Sequence, residues 1–281
     1  MAVKIVIDSG SDISVTEAGE MGVTMLPLTV RFGDKEYCDG VDLLPEDFYK
    51  KLEQEKTLPK TSQVTPYSFE KAFEELTQNG DKVIAIVMSS GLSGTYASAK
   101  SAAKNFEGKV FVVDTLSVSV GERLLCQYAL RLIKTGKSAE EIFEILEKAK
   151  NKICIMAVLE TLEYLKKGGR ISGAVAFVGG LLNLKPIITA VDGKVVVLGK
   201  ARGQKRGGEF MNRIVKERGG IDFSMPYGVL WSGLDKQIAT KYIEDSAEIW
   251  EGHTDIPAYI LGSTIGTYGG AGVFGLAFFQ K

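Results

Sequence analysis

A chain of 281 residues, 45% apolar and 25% charged, exceeds what one hydrophobic core serves and is too apolar to stay disordered, so two packed domains are expected. Its 34 Lys plus Arg against 35 Asp plus Glu leave almost no net field, which argues against nucleic acid as a partner and allows at most transient membrane contact. Cys38, Cys126 and Cys154 are odd in number and form no C-x-x-C pair, which argues against a disulfide framework or a cysteine-rich zinc site and points to a reducing compartment.

Val3 to Ile7 is an apolar run broken only by Lys4 and closed by Asp8-Ser9-Gly10, the pattern of a buried strand entering a loop. Met1 to Asp8 therefore reads as strand and not as a signal peptide, and a cytoplasmic protein is expected. Thr29 to Phe32 and Lys35 to Cys38 flank Gly33-Asp34 as a hairpin, part of a small β excursion near residues 24–42. Pro45 to Gln54 has helical spacing with proline in its first turn. From Pro66 the pattern alternates: a helix to about Gln78, a strand at Lys82 to Met88, a helix at Ser93 to Phe106 and a strand at Lys109 to Val113. Such alternation predicts parallel strands joined by helical crossovers. Helices at Val120 to Lys134 and Ala139 to Lys150 complete an N-terminal α/β domain over residues 1–152, the second capped by Ser138 with Glu141 three residues on.

Strands at Ile153 to Val158, Pro186 to Val191 and Val195 to Leu198 follow, the last two joined by an Asp192-Gly193 turn that predicts antiparallel pairing. Helices at Gln204 to Arg218 and Lys236 to Glu251 alternate with strands at Tyr227 to Trp231 and Pro257 to Leu261. Residues 153–281 thus read as an α+β domain with a largely antiparallel sheet. Ile171 to Leu184 is uncharged, but at about 14 residues it is shorter than the ~20 of a spanning helix and is broken by Gly173, Gly179 and Gly180, so it is read as an interior wall.

Gly270-Ala-Gly-Val-Phe-Gly275 matches a dinucleotide fingerprint, but the chain ends at Lys281, with no room for the helix and acidic residue that motif needs. Gly136-Lys137-Ser138 resembles the end of a P-loop, yet position 131 is arginine and the segment joins two helices. The single histidine, His253, lies in a polar turn, which argues against a histidine-based hydrolase or metal centre. No cofactor is expected. Clusters of hydroxyl and glycine residues at strand ends remain: Ser9-Gly10-Ser11, Thr61-Ser62-Gln63 and Ser89 to Thr95. The third follows an apolar strand and opens a helix, so Ser93, Gly94 and the free N–H groups there form a receptor for a carboxylate or phosphate. Arg170 and Arg202 each adjoin glycine where a guanidinium can reach a ligand or a partner's phosphates. The terminal Gly266-Thr267-Tyr268-Gly-Gly run reads as a glycine-rich loop through which backbone approaches a ligand, before a last apolar strand.

In combination, Asp8-Ser-Gly-Ser-Asp12, Thr61-Ser-Gln-Val-Thr-Pro, Ser89-Ser-Gly-Leu-Ser-Gly-Thr95, Leu165-Lys-Lys-Gly-Gly-Arg-Ile-Ser172, Leu184-Lys-Pro-Ile187 and Ile265-Gly-Thr-Tyr-Gly-Gly-Ala-Gly272 resemble the DegV family of fatty-acid-binding proteins. Some members of that family serve as the acyl-carrying subunit of a bacterial fatty acid kinase. The resemblance implies a long-chain fatty acid in an apolar tunnel between or beside the two domains. It implies that Thr61, Ser62, Ser93 and Gly94 hold the carboxylate, that Arg202 faces a partner kinase, and that the chain itself is not an enzyme. Where the family commonly has histidine, this sequence has Tyr268, whose phenol donates a hydrogen bond but stays neutral at pH 7. Lipid storage or transport without a kinase, and acyl or phosphoryl transfer with Asp8 or Ser93 as nucleophile, are the alternative readings.

Overall fold

In the computed structural model, which describes residues 2–55, 57–171 and 183–281, the chain forms three sheets with helices packed between and around them. The expected wall at Gly173 to Gly180 lies outside the described residues. The N-terminal half contains β1 (Val3–Asp8), α1 (Val15–Met21), β2 (Thr24–Leu26), β3 (Thr29–Phe32), β4 (Lys35–Cys38), α2 (Pro45–Gln54), β5 (Lys60–Ser62) and α3 (Pro66–Thr77). It continues with β6 (Lys82–Val87), α4 (Thr95–Ala103), β7 (Val110–Asp114), α5 (Val120–Lys134) and α6 (Ala139–Ala149). The C-terminal half contains β8 (Ile153–Val158), α7 (Glu163–Lys167), β9 (Leu184–Val191), β10 (Lys194–Arg202) and α8 (Gly203–Glu217). It ends with β11 (Tyr227–Trp231), α9 (Gln237–Asp245), β12 (Ala258–Ile260), α10 (Ser263–Gly269) and β13 (Phe274–Phe279).

The first sheet is parallel in the order β2-β1-β6-β7. Its strands are apolar on both faces: Ile84 and Ile86 point one way, into the core shared with α5 and α6, while Val83, Ala85 and Val87 point the other way, toward α3 and α4. That two-sided burial is why these strands read as continuous apolar runs and not as alternating ones. The order reverses between β1 and β6, so the loops leaving these two strands diverge and leave a crevice at their carboxyl ends.

The second sheet runs β10-β9-β8-β13-β11-β12 and is antiparallel except where β12 pairs with β11. Phe274, Leu276 and Phe278 of β13 face the core under α8 and α9, and the alternate residues Ala277 and Phe279 face α5. α5 touches strands of both sheets, and its residues Val120 to Cys126 are buried without a break, as a helix held between two layers requires. The turn between β9 and β10 has Asp192 and Gly193 both at positive φ, and the Gly193 carbonyl accepts from Ser89 Oγ at 2.7 Å, tying this hairpin to the end of β6.

The third sheet, β4-β3-β5, joins the hairpin over Thr29 to Cys38 to a distant strand, Thr61 of β5 pairing with Val30 of β3, while Thr24–Leu26 belongs to the first sheet. Several short elements differ from the sequence reading. α1 is capped by Ser14, whose Oγ accepts from Glu17 N–H at 3.2 Å. The helix read at Ser93 to Phe106 begins at Thr95, and the one read at Lys236 to Glu251 stops at Asp245 before a 3-10 turn over Ala247–Ile249. Most consequential, Ser263 to Gly269 is a helix and not the glycine-rich loop expected there. Two glycines lower its intrinsic propensity, and buried carboxylates from the other half of the chain outweigh that by capping it.

Candidate functional site

Residues from both halves meet at the carboxyl ends of β1 and β6. There a polar recess is lined by Thr61, Ser62, Gln63, Ser93, Gly94 and their neighbours. It shares Met88, Leu92, Arg170, Thr264 and Tyr268 with a deeper apolar cavity, walled by Ile155 and Ala157 of β8, Ile188 and Ala190 of β9, and Leu230 of β11 among others. The deep part follows from strand alternation. Ile155 and Ile188 point toward α5 and the first sheet, while Met156 and Ile187 join the core beneath α8.

The recess contains neutral donors and one guanidinium. Thr61 Oγ1 and Tyr268 Oη lie 2.7 Å apart across the mouth, between an edge strand of the small sheet and α10. Ser93 Oγ accepts from Thr95 N–H at 3.2 Å and lies 2.9 Å from Thr95 Oγ1, while Gly94 is the N-cap of α4. Gln63 Nε2 donates to Ser98 Oγ at 2.8 Å, fixing the segment that carries Thr61 and Ser62 against α4. Arg170 follows α7, donates from Nε to the Leu92 carbonyl at 3.3 Å and from a terminal nitrogen to the Gly168 carbonyl at 2.7 Å, and stands 5.1 Å over the Tyr268 ring.

Thr61, Ser62, Ser93, Gly94 and Tyr268, taken from three separate stretches of sequence, are therefore brought together, and Arg170 joins them at the mouth. Gly266 and Thr267 are turned elsewhere. Gly266 packs on α2, and Thr267 Oγ1 donates to the Ser263 carbonyl at 2.8 Å within the helix. Arg202 is an exposed residue at the start of α8 and lines neither space. Sequence reasoning missed Met88, Leu92 and the cavity-facing residues of β8 and β9, whose apolar character was plain but whose open face was not.

Gly168 has a specific reason to lack a side chain: a Cβ there would come within 2.5 Å of Cδ1 of Tyr268. We expect Gly168→Ala to displace the phenol and weaken binding of a carboxylate ligand by ~10-fold, the worth of one hydrogen bond to a charged group. Titration calorimetry checks this. Unchanged affinity would show that the ring's position does not matter.

Beneath the recess lies a group of acids. Asp8 is fully buried, with one carboxylate oxygen accepting from Gly10 N–H and the other from Met88 N–H, each at 2.8 Å. Both oxygens are thus committed to backbone, and Asp8 does not line the cavity, which disfavours it as a nucleophile. Burial pushes its carboxyl from 3.8 to about 7, and burial likewise raises Asp39 and Glu122. The one guanidinium among them, Arg123, pairs with Glu17 and lies 4.2 Å over the Tyr259 ring. A carboxyl whose pKa is higher in the fold than in the unfolded chain favours the fold when protonated. That contribution is complete below about pH 4 and is lost as pH rises through about 7. Calorimetric melts should therefore show the melting temperature falling between about pH 4 and about pH 7. A melting temperature that rose across this range would contradict the burial of these groups.

Among the described residues no group of three or more His, Cys, Asp or Glu is placed to hold a metal ion, and no helix is long and apolar enough to cross a membrane. The sequence matches the family described as "Uncharacterised protein, DegV family" over residues 2–281. A DegV domain-containing protein of Deinococcus radiodurans is 33% identical over 282 residues, covering 99% of this chain and 98% of that protein. Among solved structures, one reported as fatty acid binding of a DegV family protein from Thermus thermophilus aligns over the whole of both chains with a TM-score of 0.89 and 32% identity. A stearic acid-binding protein from Eubacterium ventriosum aligns over 100% of this chain and 99% of its own with a TM-score of 0.87 and 26% identity.

Proposed function

The chain belongs to the DegV family, and on that premise we propose that it encloses one long-chain fatty acid, tail in the apolar cavity and carboxylate in the recess. The observation that carries this reading is the adjacency of the two spaces: the same five residues line both, which puts a polar head-group site directly beside an apolar one, as a single amphipathic molecule requires. Enclosing about fifteen methylenes at ~0.8 kcal/mol each contributes on the order of 12 kcal/mol before ordering costs. Thr61, Ser62, Ser93, Tyr268 and the N–H groups at Gly94 supply donors to the carboxylate, worth roughly 1.5–3 kcal/mol each. Arg170 supplies the positive charge that Tyr268 does not. The tail thus dominates affinity, and the head group sets orientation.

The second part of the proposal is that the bound acid is presented, in the cytoplasm, to a partner kinase that forms the acyl phosphate, with Arg202 on the docking face. Two features of the chain support it: the sequence carries no motif for binding ATP phosphates, and its one histidine, His253, lies outside the recess that holds Ser93. Storage or transport without a kinase is the competing reading, and the neutral Tyr268 favours it. The two parts separate experimentally. Delipidated protein should bind hexadecanoic acid at least ~10-fold more tightly than its methyl ester, because only the acid offers a carboxylate to the donors. With a candidate kinase and ATP, Arg202→Ala should still hold lipid yet lose phosphorylation. Lipid binding with no acyl phosphate from any candidate kinase would leave the carrier reading.

A further inference from the structure

α10 carries Tyr268 to the mouth, yet little in its own sequence would make it a helix: seven residues, two of them glycine, and no side-chain cap from the residue before it. Its first N–H groups are satisfied by carboxylates from the opposite half of the chain. Gly262 N–H donates to Asp12 Oδ1 at 2.7 Å, Ser263 N–H to Asp39 Oδ1 at 3.0 Å, and Thr264 N–H to Asp39 Oδ2 at 3.2 Å, while the Ser263 hydroxyl also donates to Asp39. Asp39 is 1% exposed, so these bonds do not compete with water. The flank of the helix is seated as well. A Cβ on Gly266 would stand 2.7 Å from Tyr49 Oη, and that hydroxyl donates to the Leu261 carbonyl at 3.2 Å.

Asp39 directly follows β4, and β4 belongs to the same three-stranded sheet as β5, which carries Thr61. One small sheet therefore grips α10 at two points: at its N-terminus through Asp39, and one turn further on through the 2.7 Å contact between Thr61 and Tyr268. We infer that Asp39 is a positioning residue for head-group recognition, fixing the depth and rotation of α10 so that the Tyr268 phenol meets the ligand's carboxylate, without touching the ligand itself. Both of its oxygens are needed. Three donors converge on them, and an amide in their place offers one acceptor oxygen while turning N–H groups toward another donor.

This inference rests on the proposed fatty-acid reading and is tested by Asp39→Asn, with Asp39→Asn/Tyr268→Phe as the partner variant. Delipidated proteins are titrated with cis-parinaric acid and with its methyl ester, following the probe's fluorescence. In the single variant the acid should bind ~10-fold more weakly and the ester within about twofold of wild type. In the Tyr268→Phe background Asp39→Asn should cost nothing further, since it acts through the lost phenol. Equal losses for acid and ester, or an added loss in the Tyr268→Phe background, would reduce Asp39 to an ordinary stabilising cap and overturn the inference. Should Asp39→Asn fail to fold, Ser263→Ala removes one donor to the same carboxylate and is read in the same way, with a smaller loss confined to the acid expected. Wild-type protein that bound acid and ester alike would overturn the underlying reading of the recess before any variant is compared.

Discussion

Replacing Ala190 by tryptophan is expected to weaken the binding of a long-chain fatty acid roughly 200-fold. Ala190 lies on β9 with its side chain in the wall of the apolar cavity. An indole there would occupy the volume of about four methylenes of ligand, and at ~0.8 kcal/mol per methylene the loss is about 3 kcal/mol. The residue is only partly buried, so the larger ring enters cavity space and not the packed core, and the melting temperature should hold or rise. Chain length supplies an internal control. A ten-carbon acid, which buries fewer methylenes to be displaced by the indole, should lose less affinity than a sixteen-carbon acid in parallel displacement titrations. Wild-type affinity for both acids would mean that Ala190 does not border the acyl chain, and the assignment of the cavity to the tail would fail.

The double variant Thr61→Val/Tyr268→Phe should produce the second largest effect. It removes both hydroxyls that meet at 2.7 Å across the mouth while keeping the shape of each side chain nearly unchanged. One of the two hydroxyls donates to the other, so the pair presents one proton to the carboxylate, in a hydrogen bond worth roughly 1.5–3 kcal/mol. A combined loss of about 100-fold for the free acid is expected, with the methyl ester little changed. Native mass spectrometry of the recombinant variant should accordingly show lower lipid occupancy than wild type. If the acid bound the double variant as tightly as wild type, the carboxylate would have to lie elsewhere.

The legible parts of this molecule are those whose causes are local. The parallel strands announce themselves because both faces are buried, so β1, apart from Lys4, and β6 from Val83 onward read as apolar runs. The loop from Ser89 to Gly94 is recognisable because hydroxyl and glycine residues follow such a strand, and the fold does bring it to the mouth. What escaped the sequence depends on distant partners. β5 has three residues and a polar sequence, and it is a strand only because β3 lies beside it. α10 is a helix because Asp12 and Asp39, more than 200 residues away, accept its first N–H groups. The cavity is a still clearer case. Alternation along β8 and β9 says which residues point together, but whether that face meets another side chain or encloses space is decided by the packing of the whole chain. Arg170 reads from sequence, with Arg202, as a residue facing a partner, whereas its place over Tyr268 in the recess favours the ligand.

The most direct test of the account is to purify the protein without added lipid, weigh it under native conditions and again after denaturation, and identify by organic extraction whatever the difference releases. A mass excess matching one long-chain fatty acid per chain, absent after delipidation and restored by adding the acid back, is the predicted result. Protein that carries no such mass, and that takes up no fatty acid when delipidated and challenged with it, would contradict the central claim that recess and cavity together hold an acyl chain.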